Sequence, residues 1–200
     1  NGKGKIERID NKIETILVAS YLYGTKNGSK DNNNITSMLT ADYNYQKRLS
    51  PFFLQIFEYD YSKGIDARSQ TGGGAKYLIF KDKKEKNVSS VSLALIYDYT
   101  NLLNDPGSYK TDRTRFSLRL KTSNSILDSH LIISAVAFFQ PAVNDFSENN
   151  QRYEIKMAIP IVKKFNFFGN YLYSKDDVVT VGRKRVDIFV TFGLEYFFGK

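Results

Sequence analysis

"VDIFVTFGLEYFFGK", Val186 to Lys200, closes the chain and carries the reading of its fold. In steps of two, Val186, Ile188, Val190, Phe192, Leu194, Tyr196 and Phe198 are apolar or aromatic. The interleaved Asp187, Phe189, Thr191, Gly193 and Glu195 hold both carboxylates. A period of two is that of a strand with one apolar and one polar face. The stretch alone does not say whether the apolar face fills an interior or meets lipid.

The same period recurs along the chain. It runs from Lys12 to Gly24, then from Asn34, Pro51, Asp66, Val88, Asp112, Ser129, Gln151 and Phe165. With the closing stretch this makes about ten strands, and no segment of helical period interrupts them. No composition shift divides the 200 residues, so residues 1–200 read as one domain, with 1–11 as a polar N-terminal segment before the first strand. Tyr and Phe number 14 and 15 against no Trp and 4 Pro, an aromatic richness that favours strands.

Composition removes several kinds of chemistry. With no Cys and a single His, the chain can build no disulfide, thiolate metal site, multi-histidine metal site or cysteine nucleophile. It has no run of about 18 apolar residues, the length of a membrane-crossing helix. A membrane-crossing barrel needs no such run, because its strands alternate. The opening "NGKGKIERIDNK" has no apolar core of a signal peptide; it fits a chain whose export signal has been removed.

The joins between strands differ in length. "RLS", "TSNS" and "KKF" are short, whereas "TKNGSKDNN", "LLNDPGSY", "PAVNDFSEN" and "KDDVVTVGRK" are long and polar. The two kinds fall mostly at opposite strand ends, as in outer-membrane barrels with short periplasmic turns and longer external loops. Two joins break the pattern: "KGI", after the third strand, is short, and "KDKKEK", after the fourth, is somewhat long.

Aromatic placement points the same way. Tyr21, Tyr23, Tyr59, Tyr61, Tyr97, Tyr99, Tyr171 and Tyr173 fall at one level of the strands, and Tyr43, Tyr45, Tyr196 and Phe198 at the other. Aliphatic residues lie between. Two aromatic girdles around an aliphatic band suit rings at a lipid–water boundary. The apolar set then faces lipid and the polar set a lumen, and ten strands in an antiparallel transmembrane β-barrel put both termini in the periplasm. Closure also removes the unpaired edges that lipid would not tolerate.

The stretches "DARSQTGGGAKYLI", "RFSLRLKT", "YEIKMAIPIVKKF" and "VDIFVTFGLEYFF" resemble the salt-induced outer-membrane protein family. That family comprises small bacterial outer-membrane barrels of largely unknown function. The resemblance covers roughly the third to tenth strands. It implies an exported barrel in the cell outer membrane of a Gram-negative bacterium and supplies no catalytic residues.

The expected lumen carries Arg68, Lys76, Asp98, Arg115, Arg119, Lys121, Arg152, Glu154, Lys156, Asp187 and Glu195. A barrel of this size is narrow enough for side chains to fill, so opposite charges are expected to pair and plug it. The leading expectation is a barrel without catalytic activity and with no cofactor, serving as an accessory or structural subunit of an outer-membrane complex or as an envelope-stress barrel. One alternative is a narrow pore for small ions or solutes. Another is an outer-membrane hydrolase, which would have to use His130. A third is a soluble lipid-carrying barrel with its charged face outside.

"TGGG", Thr71 to Gly74, is followed by strand rather than helix, so strong coiling of the sheet is the better reading than a phosphate loop. The net charge of +8 is spread over loops and strand ends without a nucleic-acid-binding motif. Expected partners are outer-membrane lipid, including lipopolysaccharide contacts, and other outer-membrane proteins, with no nucleic acid.

Overall fold

The computed structural model describes residues 2–26, 29–82, 86–103, 109–126, 130–162, 165–182 and 184–196. They form one antiparallel sheet of eleven strands, and no helix among them is long and apolar enough to cross a membrane. In chain order the strands are β1 (Gly2–Asp10), β2 (Ile13–Lys26), β3 (Ser29–Tyr43), β4 (Leu49–Asp60), β5 (Ile65–Lys81) and β6 (Val88–Leu102). β7 (Lys110–Ile126), β8 (Leu131–Pro141), β9 (Asn149–Val162), β10 (Phe165–Lys175) and β11 (Val186–Tyr196) complete the set. Each strand pairs with its sequence neighbours, so the sheet is a simple up-and-down meander.

The extra strand is β1. Residues 1–11 were expected to precede the sheet, yet Gly2–Asp10 pair with Ile13–Tyr21 through a turn at Asn11 and Lys12. Its sequence gave no sign of this. One face holds Gly2, Gly4, Ile6, Arg8 and Asp10, which do not form an apolar stripe. The ladder is supplied instead by the free edge of β2.

Eleven strands also change the parity. Gly2 pairs with Tyr21, well along β2, whereas Tyr196 pairs with Phe165 at the start of β10. The chain therefore enters and leaves the sheet at opposite ends, correcting the expectation of two termini on one side. We call the end holding the β1–β2, β3–β4, β5–β6, β7–β8 and β9–β10 connections the turn end, and the other the loop end.

The join "TKNGSKDNN" is not a long loop, because β2 and β3 run on through it to Lys26 and Ser29. The connections at 103–109, 142–148 and 176–185 do keep their length.

The sheet curls strongly. Lys63, between β4 and β5, lies 3.9 Å from Asp187 of β11, although β11 is the far edge of the sheet. The glycines of β5 contribute to this curvature. A Cβ on Gly72 would sit 2.3 Å from the Leu95 carbonyl oxygen, and one on Gly74 2.1 Å from that of Leu93. Only a residue without a Cβ lets β5 fold so closely over β6. The expectation of coiling at "TGGG" therefore has its physical basis here.

Residue alternation sorts the two faces. On β6, Ser90, Ser92, Ala94, Ile96, Asp98, Thr100 and Leu102 are buried on the concave face, while Leu93, Leu95 and Tyr97 are exposed on the convex face. On β7, Arg115 and Ser117 are buried, and Phe116, Leu118 and Leu120 are exposed. The convex face of β9 carries exposed Tyr153, Ile155, Met157, Ile159 and Ile161. A soluble sheet would bury these sets. The concave face is not uniformly polar, however. Register places Ile16, Val18, Met38, Leu54 and Ile56 of β2–β4 on it, opposite the charged wall.

Candidate functional site: a loop segment plugging the concave face

Residues 176–182, after β10, fold back across the loop end of the concave face. Asp176 accepts a hydrogen bond from Arg68 of β5 at 3.1 Å and pairs with Lys63. The Arg68 guanidinium also donates to Glu58 at 3.1 Å, to the Val178 carbonyl oxygen at 3.1 Å and to Thr100. Asp177 is gripped by Arg115 of β7, whose Nη2 lies 2.9 and 3.1 Å from its two carboxylate oxygens. Arg113 adds a bond to Asp177 at 2.8 Å and one to Glu148 at 3.0 Å.

Asp98 of β6 joins the two halves. It accepts from Arg115 Nε at 2.8 Å and from Gln70 at 3.2 Å, and lies 3.9 Å from Arg68 Nε. Arg68, Asp98 and Arg115 are almost wholly withdrawn from solvent. Buried charges persist only when paired and hydrogen-bonded, and this cluster satisfies both conditions.

The segment also carries backbone and apolar anchors. Val178 packs with Ile65 and Leu102 in a small buried core. The Thr180 hydroxyl proton is shared between the Gly64 and Leu103 carbonyls, and its N–H donates to the Lys63 carbonyl. The Asp177 N–H donates to Asn150. Gly64 has φ of +71°, and a Cβ there would meet the Thr180 hydroxyl at 2.3 Å. The short "KGI" join, anomalous among the connections at its end, is thus the ledge on which Thr180 rests.

Electrostatics favour the charged forms of Lys63 and Asp176. Burial alone would lower the Lys63 amine, but Asp176 and Glu58 more than offset it and raise its pKa above the ordinary 10.5. Burial would raise Asp176, yet Lys63 and Arg68 override it and hold the carboxyl below its ordinary 3.8.

The residues expected in one lumenal network separate into groups. Arg68, Asp98 and Arg115 form the plug site, and Asp187 touches its margin through Lys63. Lys76 pairs with Asp42. Lys156 bonds Glu195 at 2.9 Å, and Arg152 bonds Glu154 at 3.0 Å, both in more open positions. Arg119 and Lys121 take part in no ion pair among the described residues; Arg119 instead stacks over the Phe138 ring at 5.6 Å.

Sequence reasoning missed Lys63, Asp176, Asp177, Val178 and Thr180. The signal was the run "DDVV" inside a join read only as long and polar: two acids followed by two valines suit a segment that docks on a basic wall.

Of the aromatic positions, Tyr21, Tyr23, Tyr97 and Tyr171 are exposed on the convex face towards the loop end, with Tyr59, Tyr99 and Tyr173 half-buried beside them. Tyr173 stacks on Tyr153 at 5.5 Å. Tyr43 and Tyr196 are exposed at the turn end, where Tyr196 packs on Phe165 at 4.7 Å. Tyr45 and Tyr61 lie in turns rather than strands. Phe198 lies outside the described residues. His130 is exposed at the turn end just before β8, and its neighbours Asp128 and Ser129 lie outside the described residues.

The model of the family described as "Protein of unknown function, DUF481" matches residues 1–198. The chain belongs to this family. No curated protein sequence matches it. Among solved structures it is similar to the one described as "NanC porin structure in rhombohedral crystal form", with a TM-score of 0.55 and 8% identity over 98% of both chains. At that identity the likeness concerns the fold, an all-β antiparallel porin-like sheet with no helix among the described residues.

Proposed function

We propose that this protein is an outer-membrane β-barrel without catalytic activity, its lumen held shut at the loop end by residues 176–182. The carrying observation is the plug itself: two adjacent aspartates latched to Lys63, Arg68, Arg113 and Arg115. The convex apolar band and the porin-like fold support its place in lipid. The resemblance to salt-induced outer-membrane proteins supports the same location, and an accessory or envelope-stress role suits a barrel that does not conduct. In this reading the exposed tyrosines contact lipid headgroups, lipopolysaccharide or a neighbouring membrane protein.

Planar-bilayer recording tests it. Pure folded protein is expected to give no conductance steps; steady steps from the unaltered chain would contradict a closed lumen.

The likeness to a porin favours a second reading, in which the same segment gates a narrow pore for small ions or solutes. The variant Asp176→Asn/Asp177→Asn separates the two. A gated pore conducts once the latch is cut, whereas an accessory barrel stays silent.

A further inference from the structure

Towards the turn end, the concave face carries cations that the plug does not use. Lys76, Ser92 and Arg119 lie in one register row across β5, β6 and β7, and Lys121 pairs with Ser90 in the next inward-facing row. The two serines are small and buried beside the long basic side chains. Asp42 pairs with Lys76 and stands next to Glu14 in the β2–β3 register. Lys5 and Glu14 are within electrostatic range of Lys121, and Asp42 of Arg119. Glu7 pairs with Lys5, so the four cations Lys5, Lys76, Arg119 and Lys121 face three carboxylates, Glu7, Glu14 and Asp42.

Two features set this group apart from the plug site. Arg119 is half-buried, and its Nε has no hydrogen-bond partner among the described residues. Lys121 is exposed and has no ion pair there, so it is reachable by solute. A guanidinium withdrawn from water with an unused N–H costs free energy unless an anion completes it. The planar fork of Arg is suited to carboxylate and phosphate oxygens.

We infer that Arg119 and Lys121, with Lys76 beside them, form a binding subsite for a small oxyanion, a carboxylate or phosphate group of a solute entering from the turn end. The Phe138 ring under the guanidinium holds it in place. This subsite lies below the plug and is independent of whether the loop end ever opens.

Equilibrium titration of inorganic phosphate and of succinate into the full chain, folded in detergent, tests it. Saturable binding to at least one is expected, weakening steeply with added sodium chloride. Arg119→Gln/Lys121→Gln should weaken that binding at least tenfold, while Arg8→Gln on β1 leaves it unchanged. Absence of saturable binding to the unaltered chain overturns the inference, as does equal binding by the double variant. If the double variant does not fold, Lys121→Gln alone decides: its side chain is exposed, so its removal spares the fold, and unchanged binding again overturns the inference.

Discussion

Arg115 and Asp177 meet through 2.9 and 3.1 Å contacts that tie the middle of the meander to the segment just before its last strand. Asp98 holds the same guanidinium from the other side at 2.8 Å. One arginine thus belongs at once to the wall and to the plug, and the loop end can open only if that shared group loses a partner.

Cutting the shared pair should be costly. Asp177→Ala leaves Arg115 with Asp98 and Arg113 with Glu148 as their remaining anions, so the cost should stay below the about 3–5 kcal/mol of a fully broken buried pair. The expected result is a lower urea midpoint for the folded protein in lipid vesicles and faster proteolysis within 176–182. Because the wall strands keep their ladders, heat-modifiable gel mobility should persist.

Acid should loosen the Asp176 contact only below the usual carboxylate range. The folded pKa of Asp176 is lowered, so its contribution is present above 3.8 and is lost as pH falls through the lower folded value. Lys63 is raised, so its contribution is present below 10.5 and is lost as pH rises through the higher folded value. The Lys63–Asp176 contact should therefore add no transition to the protease sensitivity of 176–182 between these limits. A transition near neutral pH would contradict the assignment.

The three glycines of "TGGG" should behave differently on substitution. Gly72→Ala and Gly74→Ala drive a methyl into β6 backbone and should impair folding. Gly73→Ala meets only the Phe52 carbonyl oxygen at 3.3 Å and should be tolerated. Folding yields into detergent compared across the three variants check this order.

The ledge should be equally particular. Gly64→Val puts a branched side chain at positive φ and against Thr180, so it should release the plug. Thr180→Val removes the hydroxyl's shared bond but keeps the shape, and about 1 kcal/mol is expected to be lost. Hydrogen exchange at the Thr180 amide should rise more in the first variant than in the second.

Much of the sheet was legible because β6, β7 and β9 alternate without interruption, from Leu93 and Leu95 to Ile155 and Ile159. The inward pointing of Arg68, Asp98 and Arg115 followed from the same period. Their true partners did not, because Asp176 and Asp177 lie in a connection, where no periodicity says which way a side chain turns. β1 was hidden for a related reason: Gly2, Gly4 and Arg8 are held by backbone pairing to β2, and an edge ladder leaves no mark on side-chain pattern. The apolar wall of Ile16, Val18, Met38, Leu54 and Ile56 was also missed, since strands apolar on both faces blur the alternation that reveals orientation.

The central claim is that the convex face of β6 meets lipid and the concave face does not. The chain has no Cys, so single cysteines can be placed along this strand without background. Variants Val91→Cys, Leu93→Cys and Leu95→Cys alternate with Ser90→Cys, Ser92→Cys and Ala94→Cys, each folded in lipid vesicles. Paramagnetic quenching by spin-labelled lipid is predicted to be strong at 91, 93 and 95 and weak at 90, 92 and 94. Equal quenching at the two sets, or water-soluble reagents modifying 91, 93 and 95 as readily as an unfolded control, would contradict it.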